Sequence, residues 1–271
     1  SPHDLETTRI ILERPHGIIL VTGPTGSGKT TSLYACLSRI NDIQRKIITI
    51  EDPIEYQLHG INQIQVSRKA GLTFAKGLRS ILRHDPDIIL VGEIRDLETA
   101  QIAIRSSLTG HLVLSTLHTN DSVGAVNRLV DMGVQPYLVA ACLVAAIAQR
   151  LVRRVCRECS REDTMVPDEI LKEIADALDC ATEEVKPKIG DGCPECNDSG
   201  YRGRVAIFEF FLLDEHIQDL VARNVPAPEL RAEARVKGMI NLRGNGWEKV
   251  MHGVTSVEEV TRITGNTQIS Y

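Results

Sequence analysis

The stretch "GPTGSGKTT", residues 23 to 31, constrains this 271-residue chain more than any other. It follows the apolar run "GIILVT" (17 to 22) and opens the helical pattern "KTTSLYACLSRI" (29 to 40). A glycine, four residues and then Gly-Lys-Thr, set between a strand and a helix, is a phosphate-binding loop. Its glycines let the backbone turn N–H groups inward, and the helix N-terminus adds a favourable field for an anion. Gly23, Pro24, Thr25, Gly26, Ser27, Gly28, Lys29, Thr30 and Thr31 are therefore the candidate nucleotide-binding residues. Lys29 is expected to reach the β- and γ-phosphates of ATP, and the Thr30 hydroxyl to ligate Mg²⁺.

Short apolar runs alternate with helical patterns through the first half. "KIITIE" (46 to 51), "DIILV" (87 to 91) and "HLVLST" (111 to 116) read as strands, and "TFAKGLRSILRH" (73 to 84) and "LETAQIAIRSSL" (97 to 108) as helices. Nearly continuous apolar strands separated by helices predict an α/β fold with a parallel sheet covered on both faces. Helical stretches are expected from about 122 to 150, with "YLVAACLVAAIA" (137 to 148) a buried helix, too short for the ~20 residues of a membrane span. Texture divides the chain at 153 and 204: a nucleotide-binding core (1–153), a cysteine-bracketed segment (154–204) and a mostly helical C-terminal part (205–271) that begins with the strand-like "RVAIFEFFLL" (204 to 213). Residues 1 to 9 lack the apolar core of a signal peptide and read as the interior of a longer chain.

In "PDIILVGEIRD" (86 to 96) an apolar strand runs into Gly92 and Glu93, where many nucleotide hydrolases carry an aspartate. Glu93, expected on a strand beside the phosphate-loop strand, is placed to polarise a water in line with the γ-phosphate or to hold it through the metal shell. "TIEDPIEY" (49 to 56) brings Glu51, Asp52 and Glu55 to the end of another strand, where an acid cluster can hold metal-bound water; Asp52-Pro53 equally suits a turn.

Four stretches in order, "GPTGSGKTT", "TIEDPIEY", "ILVGEIRD" (89 to 96) and "GHLVLSTLHTND" (110 to 121), resemble the secretion and pilus motor ATPases over essentially the whole chain. The resemblance implies a RecA-like core, and makes glycine-glutamate the ordinary form of the second-strand motif. It identifies Glu55 with the family's functionally important acid-box glutamate and His118 with the histidine that faces the γ-phosphate; His111 is the weaker histidine candidate. Arg79, Arg83, Arg95 and Arg105 border nucleotide-edge segments, and Arg95 and Arg83 are the candidates to complete a neighbouring subunit's site as arginine fingers. It further implies a cytoplasmic homo-hexamer at the bacterial inner membrane. Its partners would be inner-membrane platform and membrane-anchoring proteins, its task type II secretion or, as the alternative, type IV pilus assembly.

Of seven cysteines, four form "CREC" (156 to 159) and "CPEC" (193 to 196). Two Cys-x-x-Cys knuckles suit a tetrahedral Zn²⁺ held by Cys156, Cys159, Cys193 and Cys196. With four thiolates no coordination position stays open, so the expected role is structural. By resemblance such an insertion marks type II secretion and pilus-assembly ATPases, and is lacking in pilus-retraction and type IV secretion ATPases. A formal charge of −5 and an acidic inter-knuckle segment argue against a nucleic-acid binder, although a zinc-dependent nucleic-acid module and a non-hydrolysing nucleotide sensor remain the rival readings. A mean hydropathy of −0.08 describes a soluble chain that meets a membrane only through partners.

Overall fold

Apolar strands decide the architecture. In the computed structural model, which describes residues 2–67 and 69–265, α1 (Pro2–Leu12) leads to β1 (Gly17–Thr22), α2 (Lys29–Ile40), β2 (Ile47–Glu51), β3 (Asn62–Gln65), α3 (Phe74–Ile81), β4 (Ile88–Val91), α4 (Leu97–Leu108), β5 (Leu112–Leu117), α5 (Gly124–Asp131) and α6 (Pro136–Cys142). β6 (Leu143–Val155), β7 (Ser160–Glu162), α7 (Asp168–Leu178), β8 (Lys188–Gly190) and β9 (Tyr201–Leu212) follow, and α8 (Glu215–Ala222), α9 (Ala227–Val236), α10 (Leu242–Met251) and α11 (Val257–Thr264) complete the order. Contacts group the chain into two units, Ser1–Ala148 with Phe210–Met239, and Gln149–Glu209 with Ile240–Tyr271. This grouping differs from the linear division at 153 and 204, because shared cores rather than composition decide which helices belong together.

The principal sheet has the order β3-β2-β4-β5-β1-β6-β9, and β1 to β6 pair in parallel. Every residue of β1, β2, β4 and β5 is buried, as a sheet covered on both faces requires. Alternate side chains point to opposite faces. Ile18, Leu20, Ile48, Ile50, Ile89 and Val91 join a core with Phe74 and Leu78 of α3, Ala100 and Ile104 of α4, and Leu220 and Leu230 from α8 and α9. Gly77 lets α3 lie close on the sheet: a Cβ there would stand 1.9 Å from Ile50 Cδ1.

Two expectations are corrected. Residues 137–148 are not one buried helix: α6 ends at Cys142 and β6 begins at Leu143, paired with β1 from Ile18↔Leu143 to Thr22↔Ala148. Alanines 145, 146 and 148 read as helix formers, but pairing with a fully buried strand outweighs propensity. Nor does β4 lie beside β1, since β5 stands between them.

The second unit has its own core, in which Ile174, Ala175 and Val185 pack with Trp247, Val250, Val257 and Val260. β7 and β8 form a separate antiparallel pair. Glu259 is fully buried, and its carboxylate accepts from the backbone and guanidinium of Arg153 and from Arg262. Burial alone opposes its ionisation, yet these donors hold its carboxyl down at about 2. No described helix is long and apolar enough to cross a membrane.

Candidate active site

In a parallel sheet the carboxyl ends of the strands share one edge, where ligands of such folds bind. Gly23–Gly28 leaves β1 at that edge with φ 149° at Gly23, 79° at Gly26 and 85° at Gly28, the last two in the left-handed region that glycine tolerates. A Cβ on Gly26 would meet nothing within 4 Å, so its glycine answers to the backbone conformation rather than to crowding. α2 starts at Lys29 with no side-chain cap and no acid in its first turn, a helix end whose field favours an anion. Lys29 Nζ lies over the loop, donating to Gly23 O (2.9 Å) and Pro24 O (3.0 Å). Thr30 follows it, half-buried, in the first turn of the helix. This donor-rich cradle fits a nucleotide's phosphates.

Glu93 follows β4 at the same edge. Thr116 Oγ1 donates to Gly92 O (2.7 Å) and Ile94 N–H donates to Thr116 O (3.1 Å), so the turn carrying Glu93 is stitched to the end of β5. Arg95 donates to Glu93 Oε1, and His118 Nε2 stands 3.5 Å from Oε2. The hydrogen bond to Glu93 holds the Arg95 guanidinium above its usual pKa, with a smaller attraction from Asp52. Asp96 serves the helix instead: its carboxylate caps α4 through Thr99 N–H (2.8 Å).

The glycine at 92 has a steric reason. Gly92 N–H donates to Ile50 O (2.8 Å), and a Cβ would meet Ile50 O and Glu51 Cα at 3.3 Å and Phe74 Cε1 at 3.4 Å. β2 and α3 leave little room for an aspartate here.

Glu51 is a buried anchor. It accepts from Tyr34 Oη, Thr49 Oγ1 and Gln63 Nε2 (3.2 Å). Gln63 also accepts from Leu58 N–H (2.7 Å) and donates to Tyr56 O (3.2 Å), while the Tyr56 ring meets Tyr34 edge-on at 4.7 Å. Residues 52–58 are thereby fastened to α2, the helix that the phosphate loop opens, and Glu55 is presented exposed at the strand-end edge. Burial first, then Glu51, pushes the Tyr34 phenol well above its usual pKa. Sequence reading missed Tyr34 and Gln63. Tyr34 falls on the buried side of an apolar helix, and no local pattern marks Gln63.

The other candidates lie elsewhere. His111 is at the start of β5, bonded to Ser106 O (2.8 Å), while His118 follows its end; seven residues of extended chain separate them by roughly 23 Å. Arg83 sits in the turn before β4, exposed at the opposite edge of the sheet from Lys29, beside His84, whose carbonyl accepts from Lys46 at the start of β2. Arg79 pairs with Glu98 (2.7 Å) on the surface, and Arg105 is exposed on α4.

In the second unit Cys156, Cys159, Cys193 and Cys196 converge, with all four sulfurs within 4.8 Å of one another. Cys156–Cys193 and Cys159–Cys196 are 3.8 Å apart and Cys193–Cys196 3.7 Å. Sulfurs placed tetrahedrally at about 2.3 Å from one Zn²⁺ stand about 3.8 Å apart, so the set fits that ion. Cys196 Sγ accepts from Cys193 N–H (3.2 Å) and Gly200 N–H (3.3 Å). Burial opposes its ionisation, but these donors outweigh it and hold the thiol down at about 7. A Cβ on Gly190 would stand 2.1 Å from Gly200 O, so this close backbone crossing needs glycine.

The profile of a family described as Type II/IV secretion system protein matches residues 1–262. Among curated relatives, Type II secretion system protein E of Pseudomonas aeruginosa is 50% identical over 97% of this chain and 52% of its own length. Type II secretion system ATPase E of Vibrio cholerae is likewise 50% identical over 97% and 52%. The type IV pilus assembly ATPase PilB of Myxococcus xanthus is 50% identical over 94% of this chain and 44% of its own. The chain thus spans about half the length of these relatives. A crystal structure of the pilus retraction motor PilT with bound ADP superposes with a TM-score of 0.71 at 29% identity, covering 95% of this chain and 64% of that one.

Proposed function

The chain belongs to the Type II/IV secretion system protein family, and from that premise we propose that it is the ATP-hydrolysing core of a motor that powers type II secretion. One observation carries the reading: Glu93, gripped by Arg95 and 3.5 Å from His118, lies at the sheet edge that also carries Lys29. A carboxylate so held can orient a water toward a γ-phosphate lying in the Gly23–Thr31 loop. Lys29 would leave its carbonyl partners for the β- and γ-oxygens, and the first N–H groups of α2 would hold the phosphate charge. Arg95 is freed to meet developing charge when Glu93 engages the water, and His118 senses whether the γ-phosphate is present. Glu55 acts from the tethered acid segment. Mg²⁺, which the Thr30 hydroxyl would help to hold, would supply neutralisation of the phosphate charge. Arg83, on the other edge, can serve only a neighbouring copy's site.

The tetracysteine cluster would hold Zn²⁺ as a structural ion. A homo-hexamer in the cytoplasm, docked on inner-membrane platform and membrane-anchoring proteins, completes the proposal. The relatives named for type II secretion support that task, and PilB at the same identity keeps pilus assembly as the second reading.

Phosphate release by wild type and Glu93→Gln, across concentrations spanning monomer to oligomer, tests the motor. Wild-type specific activity is expected to rise with assembly. Glu93→Gln should bind ATP as wild type does while turning over about 100-fold more slowly. ATP bound tightly with no turnover by either protein, in any assembled state, would make the chain a sensor and sink the proposal.

A further inference from the structure

We propose that Asp121 is a positioning residue that ties the nucleotide edge to α9, with Arg231 as its partner; the proposal rests on the nucleotide site described above. Two hydroxyls converge on the Asp121 carbonyl. Thr22, the last residue of β1 and the neighbour of Gly23, donates at 3.3 Å, and Thr119, the neighbour of His118, donates at 2.8 Å. The Asp121 side chain then reaches two further elements. Oδ1 accepts from Gly124 N–H at 2.6 Å, where α5 opens, and Oδ2 accepts from Arg231 on α9 at 2.7 Å. A Cβ on Gly124 would stand 2.9 Å from Oδ1, so a larger residue there would push the carboxylate aside.

This is no loose surface pair. Asp121 and Arg231 side chains are 19% and 28% exposed, and Arg231 follows Leu230, which is buried in the core with Leu220 and Val221. α9 is therefore seated, and its Arg231 is committed to this turn. A turn that carries His118 on one side and grips the end of the phosphate-loop strand on the other cannot shift without moving the Asp121 carboxylate. Asp121 passes that shift to α9, and because coupling between sites is reciprocal, α9 in turn biases the His118 turn. α9 thus reports on the nucleotide.

Amide hydrogen exchange, with and without a non-hydrolysable ATP analogue, and steady-state kinetics on the full chain test the tie. In wild type the analogue should slow exchange in residues 23–31, 118–124 and 227–236. In Arg231→Gln the response at 227–236 should vanish while that at 23–31 stays, and kcat should fall about 5- to 10-fold with KM within about 2-fold, a coupling of the size such networks carry. Arg231→Lys should restore most of kcat. Asp121→Asn, whose side-chain oxygen can still cap α5, should behave as Arg231→Gln does; this separates the charge tie from the helix cap. A wild-type α9 indifferent to nucleotide, or an Arg231→Gln protein with unchanged kcat and α9 response, overturns the proposal. Absence of any nucleotide response at 23–31 in wild type overturns the nucleotide reading itself, and the tie falls with it.

Discussion

In the first unit the candidate site residues hang from the ends of strands buried on both faces, and a continuous core fixes where those ends lie. In the second unit the convergent residues are two short turns and four sulfurs, beside a smaller cluster of buried residues, among them Trp247, Ile174, Ala175 and four valines. The first site thus lies on a core that it does not build, whereas the second, with Zn²⁺ bound, would be one of the members holding its fold. Removing a ligand should leave the first unit's backbone in place and loosen the second.

The sharpest break between them is expected from Cys196→Ser or zinc chelation. Loss of a tetrathiolate ion removes on the order of 10 kcal/mol of metal-linked folding free energy. Amides of residues 156–204 should then exchange freely while β1, β4 and β5 keep their protection; equal loosening in both units would erase the contrast. A middling effect is expected at Glu259. Its folded pKa of about 2 lies below the ordinary 4.5, so its stabilisation is complete above about pH 4.5 and is lost as pH falls toward 2. Glu259→Gln should cost about 2 kcal/mol at pH 7, tempered by the solvent access of Arg153 and Arg262, and should flatten that acid limb in urea titrations of the second unit. The smallest effect belongs to the first unit. Gly92→Ala crowds the Ile50 carbonyl and should cost about 1 kcal/mol in thermal unfolding; an unchanged midpoint would mean that packing does not set the residue after β4.

The same contrast governs what could be read from the sequence. "GIILVT" and "DIILV" were legible because strands buried on both faces have no polar alternation to confuse them, and the phosphate loop because its residues are consecutive. The two knuckles were legible for the same local reason. Leu143–Ala148 was misread because alanine favours a helix in isolation, and only pairing with β1 makes it a strand. β3 and α7 escaped notice, the one being short and polar and the other lying in an acidic tract. The Glu93–His118 approach needed β5 to lie next to β4, which no local pattern states. Arg231 was out of reach, since its partner lies 110 residues away and nothing on α9 sets it apart from other helical arginines.

The return of residues 210–239 to the first unit bears on how the chain can be cut. Residue 148 looks like a place to stop, because β6 passes there from one unit to the other. A protein ending at that point would lose α8 and α9 and hand Leu143, Val139 and Ala140 to water in place of Ile217, Leu220 and Leu230. Such a truncation is a recipe for inclusion bodies. Excising residues 149–209, closing the gap with a short turn and ending the chain at Met239 would instead keep the nucleotide-binding core whole, and give that core a form in which it can be studied by itself.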